Sequence, residues 1–201
     1  MKKIFSIKRF ILPIGAILIL AALTCFNIHT DSAYTYEKDL KVRLNNMLLN
    51  TYYNSNYDYA VKYPHFFRAS ERIYSSKDGH AYFHYLDIGL ESFVQIYRGT
   101  TQQLAQKLMQ NYFKGKCKMG KDSFTISGYP FNETTSKEAK ERITNGEKIY
   151  AKYVKRGKLW YCYQLSYPDN YEPYIDRLFA IVNRWTPFEN KNNNIYQLPA
   201  Y

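Results

Sequence analysis

The run from Lys158 to Tyr167 is apolar on both of its sides. Side chains of an extended chain alternate with a period of two, so Leu159, Tyr161, Tyr163 and Leu165 fall on one face and Trp160 and Cys162 on the other. Such a strand is stable only in the middle of a sheet, with other elements covering it above and below. Whatever else the chain builds, it must build around this segment.

The neighbouring segments supply the sheet. Lys148 to Val154 reads as a strand leading into it through the turn Arg156-Gly157. Tyr57, Tyr59, Val61 and Tyr63 alternate with Asp58, Ala60 and Lys62 and stop at Pro64, another strand. Ala81, Phe83 and Tyr85 alternate with His80, Tyr82 and His84, and a run from Ser92 to Arg98 follows Gly89, so these two predict a hairpin. Phe124 and Ile126 mark a short strand closed by Gly128, Tyr129 and Pro130. The stretch 132–146 is polar and reads as a surface excursion.

Helices are fewer. Thr100 and Gln103 have capping-box spacing ahead of Leu104, Leu108, Met109 and Tyr112 on one helical face. Asp169 or Asn170 can cap a last helix with Pro173 in its first turn. Its apolar stripe would be Tyr174, Ile175, Leu178, Ile181, Val182 and Trp185, up to the Thr186-Pro187 stop. Leu40, Leu44, Met47 and Leu48 predict a further helix over 37–49.

The chain contains 22 tyrosines against 12 phenylalanines and two tryptophans. A tyrosine buries a large ring while its hydroxyl reaches water or a partner, which suits strands with one wet face. The same rings, if exposed, would form a platform for stacking sugars.

Ahead of this body, Lys2, Lys3, Lys8 and Arg9 precede an apolar run over 10–26, and no acidic residue occurs before Asp31. A positive start followed by an apolar stretch is the pattern of an export signal. The run falls short of the ~20 residues a spanning helix needs, which favours cleavage, and Thr30 and Ser32 ahead of Ala33 offer a site. Two other fates are a retained anchor and lipidation at Cys25. Ala22, Leu23 and Thr24 before that cysteine resemble a bacterial lipobox, with Thr24 in place of a smaller residue. The expected organisation is an export signal or membrane anchor over 1–33, a helical lead-in over 34–50, one domain over 51–188 and a mobile polar tail over 189–201.

The full chain carries 28 basic and 17 acidic residues; removing the first 25 residues takes away four basic groups and leaves 24 against 17. For a cytoplasmic protein that balance would raise nucleic-acid binding. For an exported one it points away from nucleic acid and toward envelope polyanions. Lys114, Lys116, Lys118 and Lys121 form one basic group and Lys152, Lys155, Arg156 and Lys158 another, each read as a solvated face.

Catalytic signatures were sought by spacing. His80 and His84 would lie ~13 Å apart on a strand rising ~3.3 Å per residue, too far to share one metal. His65 reads as structural. Asp87 and Glu91 near the hairpin turn are candidates for an acid and base pair. No Gly-x-Ser-x-Gly elbow, His-Glu-x-x-His or phosphate-cradling glycine loop occurs, so no catalytic residue, metal or cofactor is expected. Cys117 and Cys162 are the two thiols of the mature domain. In an oxidising compartment they are candidates for a disulfide closing about 45 residues, with a stabilisation of roughly 2–4 kcal/mol. A buried free thiol at Cys162 is the competing reading.

The order of elements resembles PsbP-like domains. The likeness runs from about residue 51 to 188. Its marks are a tyrosine-rich strand ending in Tyr63-Pro64, a hairpin, a helix, a strand ending at Gly128, a long hairpin ending in Tyr167-Pro168, and a last helix closing on Trp185-Thr186-Pro187-Phe188. The resemblance implies an α+β fold, an antiparallel sheet flanked by helices as an α/β/α sandwich. It also implies kinship with binding and assembly factors: extrinsic photosystem subunits, a Ran-binding adaptor, bacterial lipoproteins and secretion chaperones. None of these contributes a catalytic triad. The helix before Thr51 and the excursion over 132–146 depart from the pattern.

The function expected is that of an exported, non-enzymatic binding or assembly factor of the bacterial cell envelope, whose partner is an envelope protein or a surface glycan. A membrane contact would come through the N-terminal segment if it is retained or lipidated. A glycan-binding module using exposed tyrosines is the alternative, and an exported hydrolase a third reading. An exposed row of aromatics would favour the glycan, convergent carboxylates or histidines the enzyme, and a broad apolar patch a protein partner.

Overall fold

The computed structural model describes residues 36–70, 79–130 and 146–188. The apolar run over 10–26, Cys25, most of the 132–146 excursion and the tail over 189–201 lie outside them. The chain divides at Val42/Arg43 into two units. Of the first, only the start of a helix over 36–45 (α1) is described; the second holds every strand and both later helices. No helix among the described residues is long and apolar enough to cross a membrane.

The strands are β1 (Leu49–Asn54), β2 (Tyr59–Pro64), β3 (Arg68–Ala69), β4 (Ala81–Tyr85), β5 (Ile88–Ile96), β6 (Phe113–Met119), β7 (Ser123–Pro130), β8 (Glu147–Arg156) and β9 (Leu159–Pro168). The two α-helices of this unit are α2 (Thr101–Asn111) and α3 (Asp176–Arg184). Seven strands form one antiparallel sheet in the order β3-β4-β5-β9-β8-β7-β6, and β1 and β2 form a separate hairpin. Strand β9, the segment apolar on both sides, stands between β5 and β8. The fold is α+β, with an antiparallel sheet flanked by helices.

Register sorts the two faces. Cys162 pairs with Phe93 and Tyr153, and with Trp160, Ala151, Phe124 and Ile126 these side chains meet Leu104, Ala105 and Leu108 of α2. Each large apolar side chain so covered contributes about 1.5–3 kcal/mol. The capping box forms as its spacing predicts: Gln103 N–H donates to Thr100 Oγ1 (3.2 Å) and Thr100 N–H to Gln103 Oε1 (2.8 Å). On the opposite face, Tyr163 pairs with Ser92, and Leu165 with Leu90. The β1–β2 hairpin lies over this row, with Tyr63 stacked on Phe83 (3.9 Å, 17°) and Tyr59 edge-on to Tyr161 (5.7 Å). Helix α3 covers the same face through buried Leu178 and Val182, and Phe179 sits edge-on to Tyr150 and Tyr167.

Tyrosine hydroxyls join these layers. The His65 N–H to Leu48 carbonyl bond fixes the ladder phase, so the backbone groups of Ala60 and Lys62 point away from β1. Tyr163 Oη donates to the Lys62 carbonyl (2.8 Å), and Trp185 Nε1 donates to that of Ala60 (2.7 Å). Tyr161 Oη donates to the Tyr57 carbonyl (3.1 Å), while Tyr59 Oη donates to that of Gly79 (2.7 Å) and lies 3.0 Å from Ser92 Oγ. Phenylalanine would bury the same ring but leave these polar groups unanswered.

Several elements differ from the sequence reading. The helix expected over 37–49 ends at 45, where Asn45 and Asn46 interrupt it, and Leu49 already pairs with Pro64; the helical lead-in therefore stops short of residue 50. Strand β6 was read only as a basic cluster. Lys114, Lys116 and Lys118 alternate with Gly115, Cys117 and Met119 along an edge strand, where lysines discourage pairing with another chain. Strands β5 and β7 start or run beyond their expected bounds. The last helix is split: Asp169–Tyr174 is a 3-10 turn holding Pro173, and the α-helix starts at Asp176 without a side-chain cap. Proline has no N–H to donate and disfavours helical backbone in the residue before it. Lys148 steadies that turn through Asp169 (3.0 Å) and Glu172 (2.7 Å), while Lys152 Nζ donates to the carbonyls of Asn183 (2.6 Å) and Trp185 (2.7 Å) at the C-terminus of α3. Gly157, at φ +63°, opens the two-residue turn between β8 and β9.

Tyr163→Phe, which removes the donor to the part-buried Lys62 carbonyl, is expected to lower unfolding free energy by about 0.5–1.5 kcal/mol in denaturant titration. Burial also pushes Tyr167 up to about 12 and raises Tyr59, Tyr153 and Tyr163. An unfolded tyrosine titrates near ~10, so above that pH the folded state binds more protons than the unfolded one. Stability present below pH ~10 is thus lost as pH rises through about 12. Lys152, lowered by burial, opposes this alone. Denaturation midpoints should fall over that range, with the near-ultraviolet tyrosinate absorbance of these buried tyrosines appearing only on unfolding.

Candidate functional site

A concavity among the described residues follows from how α3 flanks the hairpin. The β1–β2 ladder puts Tyr52, Val61 and Tyr63 toward the sheet and leaves Leu49, Thr51, Tyr53, Ala60 and Lys62 on the outer side, with Thr51 opposite Lys62 and Tyr53 opposite Ala60. Trp185, whose indole is bonded to Ala60, brings α3 alongside β2. The groove between them has a volume of about 1010 Å³.

Helix α3 contributes Arg177, Ala180, Ile181 and Arg184, spaced i, i+3, i+4, i+7 and therefore on one face; Leu178 and Val182, which hold it on the sheet, lie on another. Pro187, Phe188 and Arg156 close one end, with the Arg156 guanidinium 4.4 Å above the Phe188 ring. Met47, Leu49, Ile181 and Phe188 add apolar surface. Among the described lining residues, four cations, Lys62, Arg156, Arg177 and Arg184, face a single carboxylate, Asp58, which accepts a hydrogen bond from Tyr53 Oη (2.5 Å). The arrangement can hold an elongated ligand by apolar contact and answer negative charge at its sides.

The residues singled out by sequence fall elsewhere. Asp87 lies in the β4–β5 turn and does not pair with Glu91. The Glu91 carboxylate is instead held between His80 Nε2 and Gln164 Nε2. His84 stacks with Tyr82 (5.8 Å, 15°), and its Nδ1 is buried without a hydrogen-bond partner. His65 closes the hairpin's end, with Nδ1 3.3 Å from the Leu48 nitrogen.

The Cys117–Cys162 disulfide is not formed; both thiols are free. They stand on β6 and β9 with β7 and β8 between, three strand spacings or ~14 Å, whereas a disulfide needs Cβ atoms ~3.8 Å apart. Cys162 is fully buried, and burial raises its thiol well above the usual range. Of the tyrosines considered as a glycan platform, Tyr59, Tyr63, Tyr153, Tyr161, Tyr163 and Tyr167 are buried and offer no face for stacking.

Arg177 and Arg184 were missed because the reading of that segment followed only its apolar stripe. The available signal was their seven-residue spacing around Ala180 and Ile181, along one border of the stripe.

No protein-family model and no curated protein matches the chain. Among solved structures the chain is similar to cyanobacterial PsbP (CyanoP) from Synechocystis sp. PCC 6803, at 12% sequence identity and a TM-score of 0.46, over 67% of this chain and 89% of that one. The likeness is one of strand and helix arrangement and transfers no role; the α+β class rests on the sheet and helices described above.

In the native protein, a maleimide reagent is expected to label Cys117 well before Cys162. In denaturant without reductant, peptide mapping should find both modified, and a linked peptide pair would contradict the free-thiol arrangement.

Proposed function

We propose that this chain is an exported, non-enzymatic binding or assembly factor that holds another component of the bacterial cell envelope in the groove between the β1–β2 hairpin and α3. The observation that carries this reading is the groove's make-up among the described residues: apolar surface bordered by four cations, with the one carboxylate, Asp58, engaged by Tyr53. Such a surface suits capture by burial and charge, and its lining pairs no nucleophile with a base. The cation-led apolar run over 10–26 supports export, and with it a partner outside the cytoplasm.

Ala180 is half-buried in the groove wall, so Ala180→Trp would fill the space without touching the sheet. A photo-crosslinking residue placed at Thr51 of the full chain is expected to give one adduct of defined mass in intact envelopes. Adding Ala180→Trp should reduce it roughly fivefold or more with Tm unchanged. An adduct insensitive to the filled groove, or substrate turnover by the purified chain, would reject the proposal.

A further inference from the structure

We infer that the groove's occupant is an acidic segment of a partner protein, with apolar side chains between carboxylates about 10 Å apart; this deepens the binding reading above and rests on it. The spacing comes from α3. Arg177 and Arg184 are seven residues apart, ~10.5 Å along an axis rising ~1.5 Å per residue, and Ala180 and Ile181 lie between them on the same face. Cation, apolar patch, cation is therefore the order a ligand meets along the wall.

Neither arginine makes an ion pair with any described residue. Their fork-shaped donors match carboxylates in two-point contacts, and pairing gains strength where apolar walls exclude water. Among the described residues lining it, the groove supplies almost no competing negative charge, since Asp58 is the only carboxylate. Charge complementarity therefore asks for a polyanion, and the apolar surface selects among polyanions. A polyanionic glycan has no side chains to cover Leu49, Ile181 and Phe188. A flat lipid surface meets the rim of a concave groove but not its floor. A protein segment carrying Glu or Asp on either side of Leu-like residues meets both demands: in a polyproline II conformation, with three residues per turn and a rise of ~3.1 Å, carboxylates three residues apart lie on one side, ~9 Å apart.

The test uses the full chain in detergent solution with fluorescein-labelled Glu-Leu-Leu-Glu amide as probe, read by anisotropy. Binding is expected to weaken roughly tenfold or more for Gln-Leu-Leu-Gln, for Glu-Ser-Ser-Glu, and for the probe on raised salt. The double variant Arg177→Glu/Arg184→Glu should lose the probe to a similar extent; both residues are exposed, so Tm should fall by only a few degrees, from the acid placed at the C-terminus of α3. Equal binding of the Gln peptide, or binding indifferent to the double variant, would overturn the inference. So would a preference for phosphatidylglycerol vesicles over the peptide that the double variant abolishes, which would assign the arginines to lipid. If Ala180→Trp suppresses the envelope adduct while charge reversal leaves it unchanged, the groove reading stands and the acidic segment falls. If neither changes it, the groove reading itself fails.

Discussion

The arrangement depends on side chains of the central strand and of Trp185 reaching the backbone of the hairpin above them. Tyr163 bonds to the Lys62 carbonyl, Tyr161 to that of Tyr57, and Trp185 to that of Ala60. A two-stranded hairpin is marginal alone, and its second strand turns carbonyls away from its partner that burial would otherwise leave unanswered. The tyrosines cover the hairpin's inner face with their rings and answer that edge with their hydroxyls. The abundance of tyrosine is thus a way of holding two layers together, and the rings so used are withdrawn from any outer binding surface.

That attachment also creates the groove. Because Trp185 ties the end of α3 to β2, the helix lies beside the hairpin and not across it, and the outer face of the hairpin stays open along that side. Lys152 reinforces the placement by donating to the last carbonyls of α3, which favour a cation. The helix then has one apolar stripe toward the sheet and another short face, Arg177 to Arg184, toward the groove. A fold support and a candidate recognition surface share the same nine-residue helix.

Much of the fold was legible because burial leaves a period in the chain. Strand β9 declared its central place by being apolar on both faces, α2 declared its start by the Thr100 and Gln103 pair, and Gly157 marked the turn before β9. Other parts left no such trace. Strand β6 is solvated on one side and alternates lysine with small residues, so its composition was indistinguishable from a basic surface patch. Strand β1 follows directly on helical spacing, and only its partner β2 draws it into extended form. The partners of Glu91 left no trace for a related reason: Asp87 is near it in sequence, but across the sheet His80 and Gln164 are nearer to Glu91.

By itself the amino-acid order determined which residues face inward and where β8, β9 and α2 begin. These are local matters, set by the two- and 3.6-residue periods and by the turn chemistry of glycine and proline. Only the tertiary structure decided which strands flank β9, that β7 and β8 separate Cys117 from Cys162, and that Arg156, Arg177 and Arg184 border one groove. Those outcomes depend on which of several apolar faces pack together. Side chains many residues apart choose between them by burial and by hydrogen bonds such as those of Tyr163 and Trp185, and no period within a single segment records that choice.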